Sequence, residues 1–156
     1  MILLCIKIAI RAMKAMFSKI LVPVDGSENA FRALDQALFL AKSTGAAITA
    51  MHVIESPPTV YVESQKLLNE LLSNYRKESA KILDKCKEIG QRQDVKVDTV
   101  IAEGDAAANI DGYAEKEAFD LIVIGSRGLG RLKQALLGSV SNKVIHHAKR
   151  SVLIVK

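Results

Sequence analysis

From Lys19 to the end of the chain, short apolar runs alternate with longer segments in which apolar residues recur every three or four positions. The apolar runs are rich in β-branched residues and end at turn residues, so they predict strands. These strands cover Ile20–Val24, Ala47–Ile54, Val95–Ala102, Leu121–Ile124 and Val152–Val155. The periodic segments predict helices from Ser27 to Gly45, Glu63 to Gly90, Asp105 to Lys116 (interrupted by Gly112) and Ser139 to about Lys149.

This alternation predicts one α/β domain in which right-handed crossovers build a parallel sheet with helices on both faces. Such a Rossmann-like or flavodoxin-like sandwich binds ligands beyond the carboxyl ends of its strands. The loops after the first and fourth strands, Asp25–Ser27 and Gly125–Gly138, are therefore the candidate binding loops. A chain of 156 residues suits a single domain, and its aromatic share of 4% means that aliphatic residues must fill the core.

Residues 1–16, MILLCIKIAIRAMKAM, form an N-terminal extension ahead of a domain at 17–156. Lys7 interrupts the apolar run and no small-residue cleavage site follows, which argues against a signal peptide. The segment is also too short and too charged to span a bilayer. Three interpretations remain open: a start codon assigned too early, a helix packed on the domain or on a partner subunit, and a helix on a membrane surface.

Charge and cysteine content exclude several classes of protein. The formal charge is +5, but Lys7, Arg11 and Lys14 lie in the extension, and the rest of the chain is nearly balanced. Because no aromatic residues alternate with basic ones, a nucleic-acid surface is not expected. Cys5 and Cys86 are far apart and form no CxxC pair, which argues against a disulfide scaffold or a zinc site. We expect a cytoplasmic protein without a transmembrane segment.

The chemistry is concentrated in the loop and helix start between Gly125 and Ser141. Glycines allow backbone N–H groups to approach a phosphate closely, and a helix N-terminus presents unpaired N–H groups to an anion. Ser139 and Ser141 add hydroxyls, and Arg127 adds positive charge, whereas Arg131 and Lys133 are expected on a solvated loop face. The chain has no GxxxxGK[ST] motif, so this is not a P-loop, and because no GxGxxG follows its first strand, a nicotinamide or flavin dinucleotide site is not expected.

The spacing Gly125-x2-Gly128-x9-Gly138-Ser139 resembles the ATP-binding branch of the universal stress protein family. The strand end Val22-Pro23-Val24-Asp25-Gly26-Ser27, the segment Met51-His52-Val53 and the run from Asp120 to Gly128 match that family too, and the resemblance covers Phe17–Lys156. It implies a five-stranded sheet in the order 3-2-1-4-5, ATP bound with Mg²⁺ or Mn²⁺, and a homodimer paired through the last strand, Val152–Val155.

The resemblance also implies roles for individual residues. Asp25 would lie by the ribose and a metal-bound phosphate, and the backbone of Val53 would read the adenine, with Pro23 and Val24 against the base. The residues that would hold the ribose and phosphates are Gly125, Arg127, Gly128, Gly138, Ser139, Val140 (through its backbone) and Ser141.

Other interpretations of these residues stay open. Asp25 could simply end a strand and close a turn, and Ser139 could be a plain helix cap. His52 is expected only as a residue at the end of the sheet. A nucleophile, a base and an orienting partner cannot be assembled near the loop, so any ATP hydrolysis should be slow. The function expected is a nucleotide-dependent signalling or stress-response module, and the alternatives are a weak ATPase with the same site and a nucleotide-free interaction domain.

Overall fold

A computed structural model describes residues 17–55, 65–129 and 137–156. Residues 1–16, 56–64 and 130–136 lie outside this description, so it does not cover the N-terminal extension, the proline pair at 57–58, Arg131 or Lys133. Within them the chain alternates strands and helices: β1 (Lys19–Pro23), α1 (Glu28–Thr44), β2 (Ala47–Ile54), α2 (Gln65–Arg92), β3 (Val97–Glu103), α3 (Ala106–Lys116), β4 (Leu121–Gly125), α4 (Ser139–His147) and β5 (Ser151–Val155).

The five strands form one parallel sheet in the order β3-β2-β1-β4-β5, as predicted. Because all strands run in the same direction, their carboxyl ends lie along one edge of the sheet. The loop after β1 and the loop after β4 both leave the sheet at this edge from neighbouring strands. This is the point where the strand order reverses, and open α/β sheets bind their ligands there.

Each face of the sheet carries its own core. On one face, alternate residues of the strands pack against α1 and α2, with Leu34, Leu38 and Cys86 fully buried. On the other face, the intervening strand residues pack against α3 and α4, with Ile110 and Val144 almost fully buried. A strand such as β4, buried on both faces, must therefore be a continuous apolar run.

The predicted bounds of the second helix and of the third strand need correction. The prediction that Gly90 ends the second helix is wrong, because α2 continues to Arg92 and the chain turns at Asp94, whose φ is 57°. A Cβ on Gly90 would collide with the side chain of Val97, so this glycine allows the helix to pack closely on β3. The third strand consequently begins at Val97, two residues later than predicted.

The other corrections concern the shorter helices. Gly112 does not interrupt α3, which is continuous from Ala106 to Lys116, because glycine keeps its backbone N–H and costs helix stability without breaking the helix. The last helix ends at His147 rather than near Lys149, since Ala148 has already turned to extended dihedral angles. In the part of the chain that the structure describes, no helix is long and apolar enough to cross a membrane.

Candidate nucleotide-binding site

Asp25 connects the two candidate loops. Its Oδ1 accepts a hydrogen bond of 2.9 Å from the backbone N–H of Ser27, which closes the turn between β1 and α1. Its Oδ2 accepts a hydrogen bond of 3.0 Å from the backbone N–H of Leu129, on the loop that follows β4. An ionised carboxylate can accept about four hydrogen bonds, so these two leave acceptor capacity for a metal ion or a ribose hydroxyl.

Gly128 passes directly over this carboxylate. A Cβ added at Gly128 would overlap Asp25 Oδ2, closer than any side chain can approach a carboxylate oxygen. Gly125, at the end of β4, lies in turn against the backbone of Asn29 in the first turn of α1. The spacing of these two glycines therefore follows from close approach of the loop to α1 and to Asp25.

The start of α4 is fixed to the same loop by hydrogen bonds through Ser126 and Ser141. The carbonyl oxygen of Ser126 accepts the backbone N–H of Gly138 at 2.7 Å. The Ser141 hydroxyl, in a residue only 3% exposed, lies 2.9 Å from the Ser126 carbonyl oxygen and 3.0 Å from that of Gly138. Its single proton can be donated to one of these carbonyl oxygens at a time. When Ser141 donates to Ser126, it holds the loop against the helix.

Gly138, and not Ser139, is the N-cap of α4, which corrects the interpretation of Ser139 as a helix cap. Gly138 has extended dihedral angles, φ −74° and ψ 163°, and its carbonyl oxygen accepts the first helical hydrogen bond, from Asn142 at 2.9 Å. Ser139 is thus the first helical residue, and its side chain is exposed. Because Gly138 has no side chain, the cap residue makes no side-chain hydrogen bond to the backbone N–H groups of the first turn.

The end of β2 forms the other side of the site. Val24, one residue beyond β1, donates its N–H to the Met51 carbonyl oxygen at 2.8 Å. The N–H and C=O groups of a strand point alternately to its two neighbours. Val53 lies two residues after Met51 in β2, so its N–H and C=O point to the same side as those of Met51, past the end of β1. Pro23 and Val24 are buried there, and Val24 packs in the core on the α1 side.

The predicted residues are thus brought together from three strand ends, although the structure leaves their roles toward a ligand as predictions. Arg127 is exposed on the loop after β4, and Val140 is half-buried in the first turn of α4. Sequence reasoning missed the backbone N–H of Leu129, which has no signature in the sequence. It also missed Ser126, whose hydroxyl is buried without a hydrogen-bond partner among the described residues.

A metal ion would find one carboxylate here. The described part of the chain contains no group of three or more His, Cys, Asp or Glu side chains placed to hold a metal. Mg²⁺ is commonly bound through one or two carboxylates together with substrate phosphates and water. Asp25 suits that arrangement, in which phosphate oxygens of a nucleotide and water molecules would supply the remaining metal ligands.

The parallel sheet, its strand order and the glycine-containing loop at the reversal point define a Rossmann-like α/β protein. The universal stress protein family profile matches residues 16–156. The chain is 36% identical over 148 residues to universal stress protein YxiE of Bacillus subtilis, covering 90% of this chain and all of the relative. This protein belongs to the universal stress protein family.

Solved structures agree with this assignment. Universal stress protein UspA from Lactobacillus plantarum superposes with a TM-score of 0.83 at 26% identity, covering 90% of this chain and 98% of that one. The protein MJ0577 of Methanocaldococcus jannaschii superposes with a TM-score of 0.81 at 33% identity, covering 90% and 96%. Both similarities extend over nearly the whole domain, so the fold is shared throughout and not only around the loop.

Proposed function

We propose that this protein is a nucleotide-dependent stress-response module that binds ATP, with Mg²⁺ or Mn²⁺, at the carboxyl edge of its sheet. The observation that carries the proposal is the contact between Asp25 Oδ2 and the Leu129 N–H, at 3.0 Å. Among the residues that the structure describes, Asp25 is the carboxylate of this site, and the contact joins it to the glycine loop beside the start of α4. A carboxylate beside a phosphate-binding loop is the arrangement that a metal–polyphosphate ligand requires.

The phosphates would lie between the loop after β4 and the first turn of α4. The N-terminal N–H groups of α4 carry partial positive charge, no acidic residue lies in its first turn, and Gly138 makes no competing cap. Arg127 adds a full positive charge on the same loop. In this proposal Gly125, Gly128, Gly138, Ser139, Val140 and Ser141 surround the ribose and phosphates, with Ser141 contributing by holding the loop in place.

The base would lie against Pro23 and Val24, with the backbone of Val53 at its edge. An unpaired strand edge offers one N–H donor and one C=O acceptor, which match the N1 acceptor and the N6 amino group of adenine. Family members of the same fold have been solved with cAMP, at 22% identity, and with dAMP, at 19% identity. These complexes support an adenine ligand for the fold, although at such identities the likeness concerns the fold alone.

The proposal includes a cytoplasmic homodimer that changes its signalling partner with nucleotide occupancy. The last strand, Ser151–Val155, pairs only with β4 among the described strands, and Leu153 on it is 38% exposed. An apolar edge strand of this kind is suited to pairing with a second copy. Sedimentation at micromolar concentration should give a dimer, and a monomer would remove this part of the proposal.

The experiment that tests the proposal starts from freshly purified protein. The protein is denatured, and any released nucleotide is identified by mass; ATP or ADP at near-stoichiometric yield is the expected result. If none is released, the protein is titrated with Mg²⁺ and ATP by calorimetry, and binding in the micromolar range is expected. Absence of both bound and titratable nucleotide would leave the nucleotide-free interaction domain as the better description.

A further inference from the structure

The hydrogen-bond ladder between β1 and β2 ends with the bond from the Val24 N–H to the Met51 carbonyl oxygen, one residue before His52. In a parallel ladder, a residue that donates its N–H to one residue of the neighbouring strand accepts, at its own carbonyl, the N–H found two residues further on. Val24 donates to Met51 O at 2.8 Å, so the next rung would run from the N–H of Val53 to the carbonyl oxygen of Val24. The described backbone hydrogen bonds do not include that rung.

The imidazole of His52 makes a hydrogen bond to Val24 in place of the missing bond from Val53. Its Nδ1 lies 2.7 Å from the Val24 carbonyl oxygen. A carbonyl oxygen only accepts hydrogen bonds, so Nδ1 carries the proton and donates it. The ring thus donates to the Val24 carbonyl oxygen, which would otherwise accept a hydrogen bond from the Val53 N–H. The cost of ending a strand with an unpaired carbonyl is avoided, and the Val53 N–H remains directed past β1.

We infer that His52 is a positioning residue for base recognition: by completing the hydrogen bonding of Val24, it keeps the backbone N–H of Val53 available to a ligand. This inference rests on the proposed function, because the ligand that would use the N–H is the adenine base. A free N–H and C=O pair fits adenine, while guanine presents an O6 acceptor where adenine presents its amino group. Selectivity for adenine therefore depends on a residue that need not touch it.

Three variants separate this role from a general effect on folding. His52→Leu removes the donor and retains apolar bulk. In His52→Asn the amide nitrogen is attached to Cγ, as Nδ1 is in histidine, so the hydrogen bond to Val24 can be rebuilt. His52→Gln places its amide one bond further from the backbone and is the matched control. Circular dichroism should show the same helix content for all three.

The first measurement needs no nucleotide. Amide hydrogen exchange, followed by NMR on ¹⁵N-labelled protein, should find the Val53 N–H weakly protected in the wild type. In His52→Leu the missing rung can form, and protection of this one amide should rise about tenfold; His52→Asn should resemble the wild type. Strong protection of Val53 in the wild type, or no change in His52→Leu, would overturn the inference.

The second measurement titrates each protein with ATP, GTP and inorganic tripolyphosphate, all with Mg²⁺. His52→Leu should lose about tenfold in ATP affinity and most of its preference for ATP over GTP, while tripolyphosphate binding is unchanged. His52→Asn should recover the preference and His52→Gln should not. An equal loss for all three ligands would show a purely structural role and would contradict the inference. A wild type with a free Val53 amide that binds none of the ligands would contradict the proposed function instead, and the exchange data would still decide the role of His52.

Discussion

The helices α1 and α4 begin at the same edge of the sheet, but their first turns are completed in opposite ways. At α1, the Ser27 hydroxyl accepts the Ala30 N–H at 3.2 Å, and Glu28 adds negative charge to the first turn. At α4, Gly138 occupies the cap position, so the cap has no side chain to accept from the first turn, and that turn contains no acidic residue. The first helix start is capped by a side chain, and the cap of the second helix start makes no side-chain hydrogen bond.

The difference concerns the stability of the two helix starts and, under the proposed function, their availability to an anion. A capping side chain is worth about 0.5–2 kcal/mol of stability, so an uncapped helix gives up stability that a bound anion can restore. The helix α3, which begins at the same edge, is capped in the same way as α1: the Asp105 side chain accepts the Ala108 N–H at 2.9 Å. Among the helix starts that the structure describes at this edge, the uncapped one is the one adjoining the glycine loop.

The largest effect is expected where the loop meets Asp25. In Gly128→Ala, the new Cβ would overlap Asp25 Oδ2, so either the carboxylate must turn or the loop must move, and either change disturbs the contact to Leu129. We expect the affinity for Mg²⁺ and ATP, measured by calorimetry, to fall about a hundredfold or more. The control is Gly112→Ala in α3, where a Cβ meets nothing within 4 Å. Equal affinities for the two variants would refute the assignment of the loop to the nucleotide.

A second variant converts the start of α4 into one like that of α3. A Cβ at Gly138 makes only ordinary contacts, the nearest at 3.4 Å to Arg127 Cα, and φ of −74° suits any residue. Gly138→Asp should therefore cap α4, raise the free energy of unfolding by about 0.5–1 kcal/mol and lower ATP affinity at least about tenfold, because its carboxylate occupies the amides and repels phosphate.

Gly138→Ala separates the carboxylate from the added bulk. It should keep ATP affinity within about threefold of the wild type, since the Cβ alone meets no close neighbour. Calorimetric titration and urea unfolding of both variants make the test. If Gly138→Asp bound ATP as well as Gly138→Ala, the phosphates could not lie at the first turn of α4.

Much of the fold could be predicted from the sequence because strand and helix periods are expressed locally. The bounds of β2 were predicted to the residue, and β4 was recognisable as a wholly apolar run. The errors arose where a residue serves a distant neighbour. Gly90 resembles a helix end in the sequence, but it is small because Val97 packs against it, a contact between α2 and β3.

The site was predictable in its residue types and less so in its contacts. Gly128 and Asp25 could be named from spacing and resemblance, but their mutual contact depends on how two loops from neighbouring strands meet. The Leu129 N–H belongs to the backbone and leaves no mark on residue identity. His52 could be placed at the end of the sheet, whereas its hydrogen bond to Val24 depends on β1 ending where β2 continues.

Smaller effects on stability and on ATP binding should distinguish the two serines of α4. Ser141 is buried and donates to a carbonyl of Ser126 or Gly138, so Ser141→Ala should lower the free energy of unfolding by about 1 kcal/mol in urea titrations. Ser139 is exposed, so Ser139→Ala should leave stability within about 0.5 kcal/mol while weakening ATP binding a few-fold. A Ser141→Ala protein of unchanged stability would show that its hydroxyl does not hold the loop.

The smallest effect concerns the pH dependence of the capped helix starts. The backbone N–H of Ala108, followed by the hydrogen bond from Lys143, holds the pKa of Asp105 below its ordinary value of about 3.9. Because the pKa is lower in the folded state, the carboxylate stabilises the protein above that ordinary value, and this contribution is lost as the pH falls through the folded-state pKa.

Asp105→Ala should consequently have a lower urea midpoint than the wild type at pH 7, and the gap should narrow as the pH falls below about 4. Gly138→Ala is the matched control, because the cap of α4 carries no titrating group, and its difference from the wild type should stay constant over the same range. A gap for Asp105→Ala that persists undiminished at the acid end would mean that Asp105 stabilises α3 without its charge. The contrast between capped and open helix starts would then rest on hydrogen bonding alone, since a neutral acceptor would serve at α3 as well as a carboxylate does.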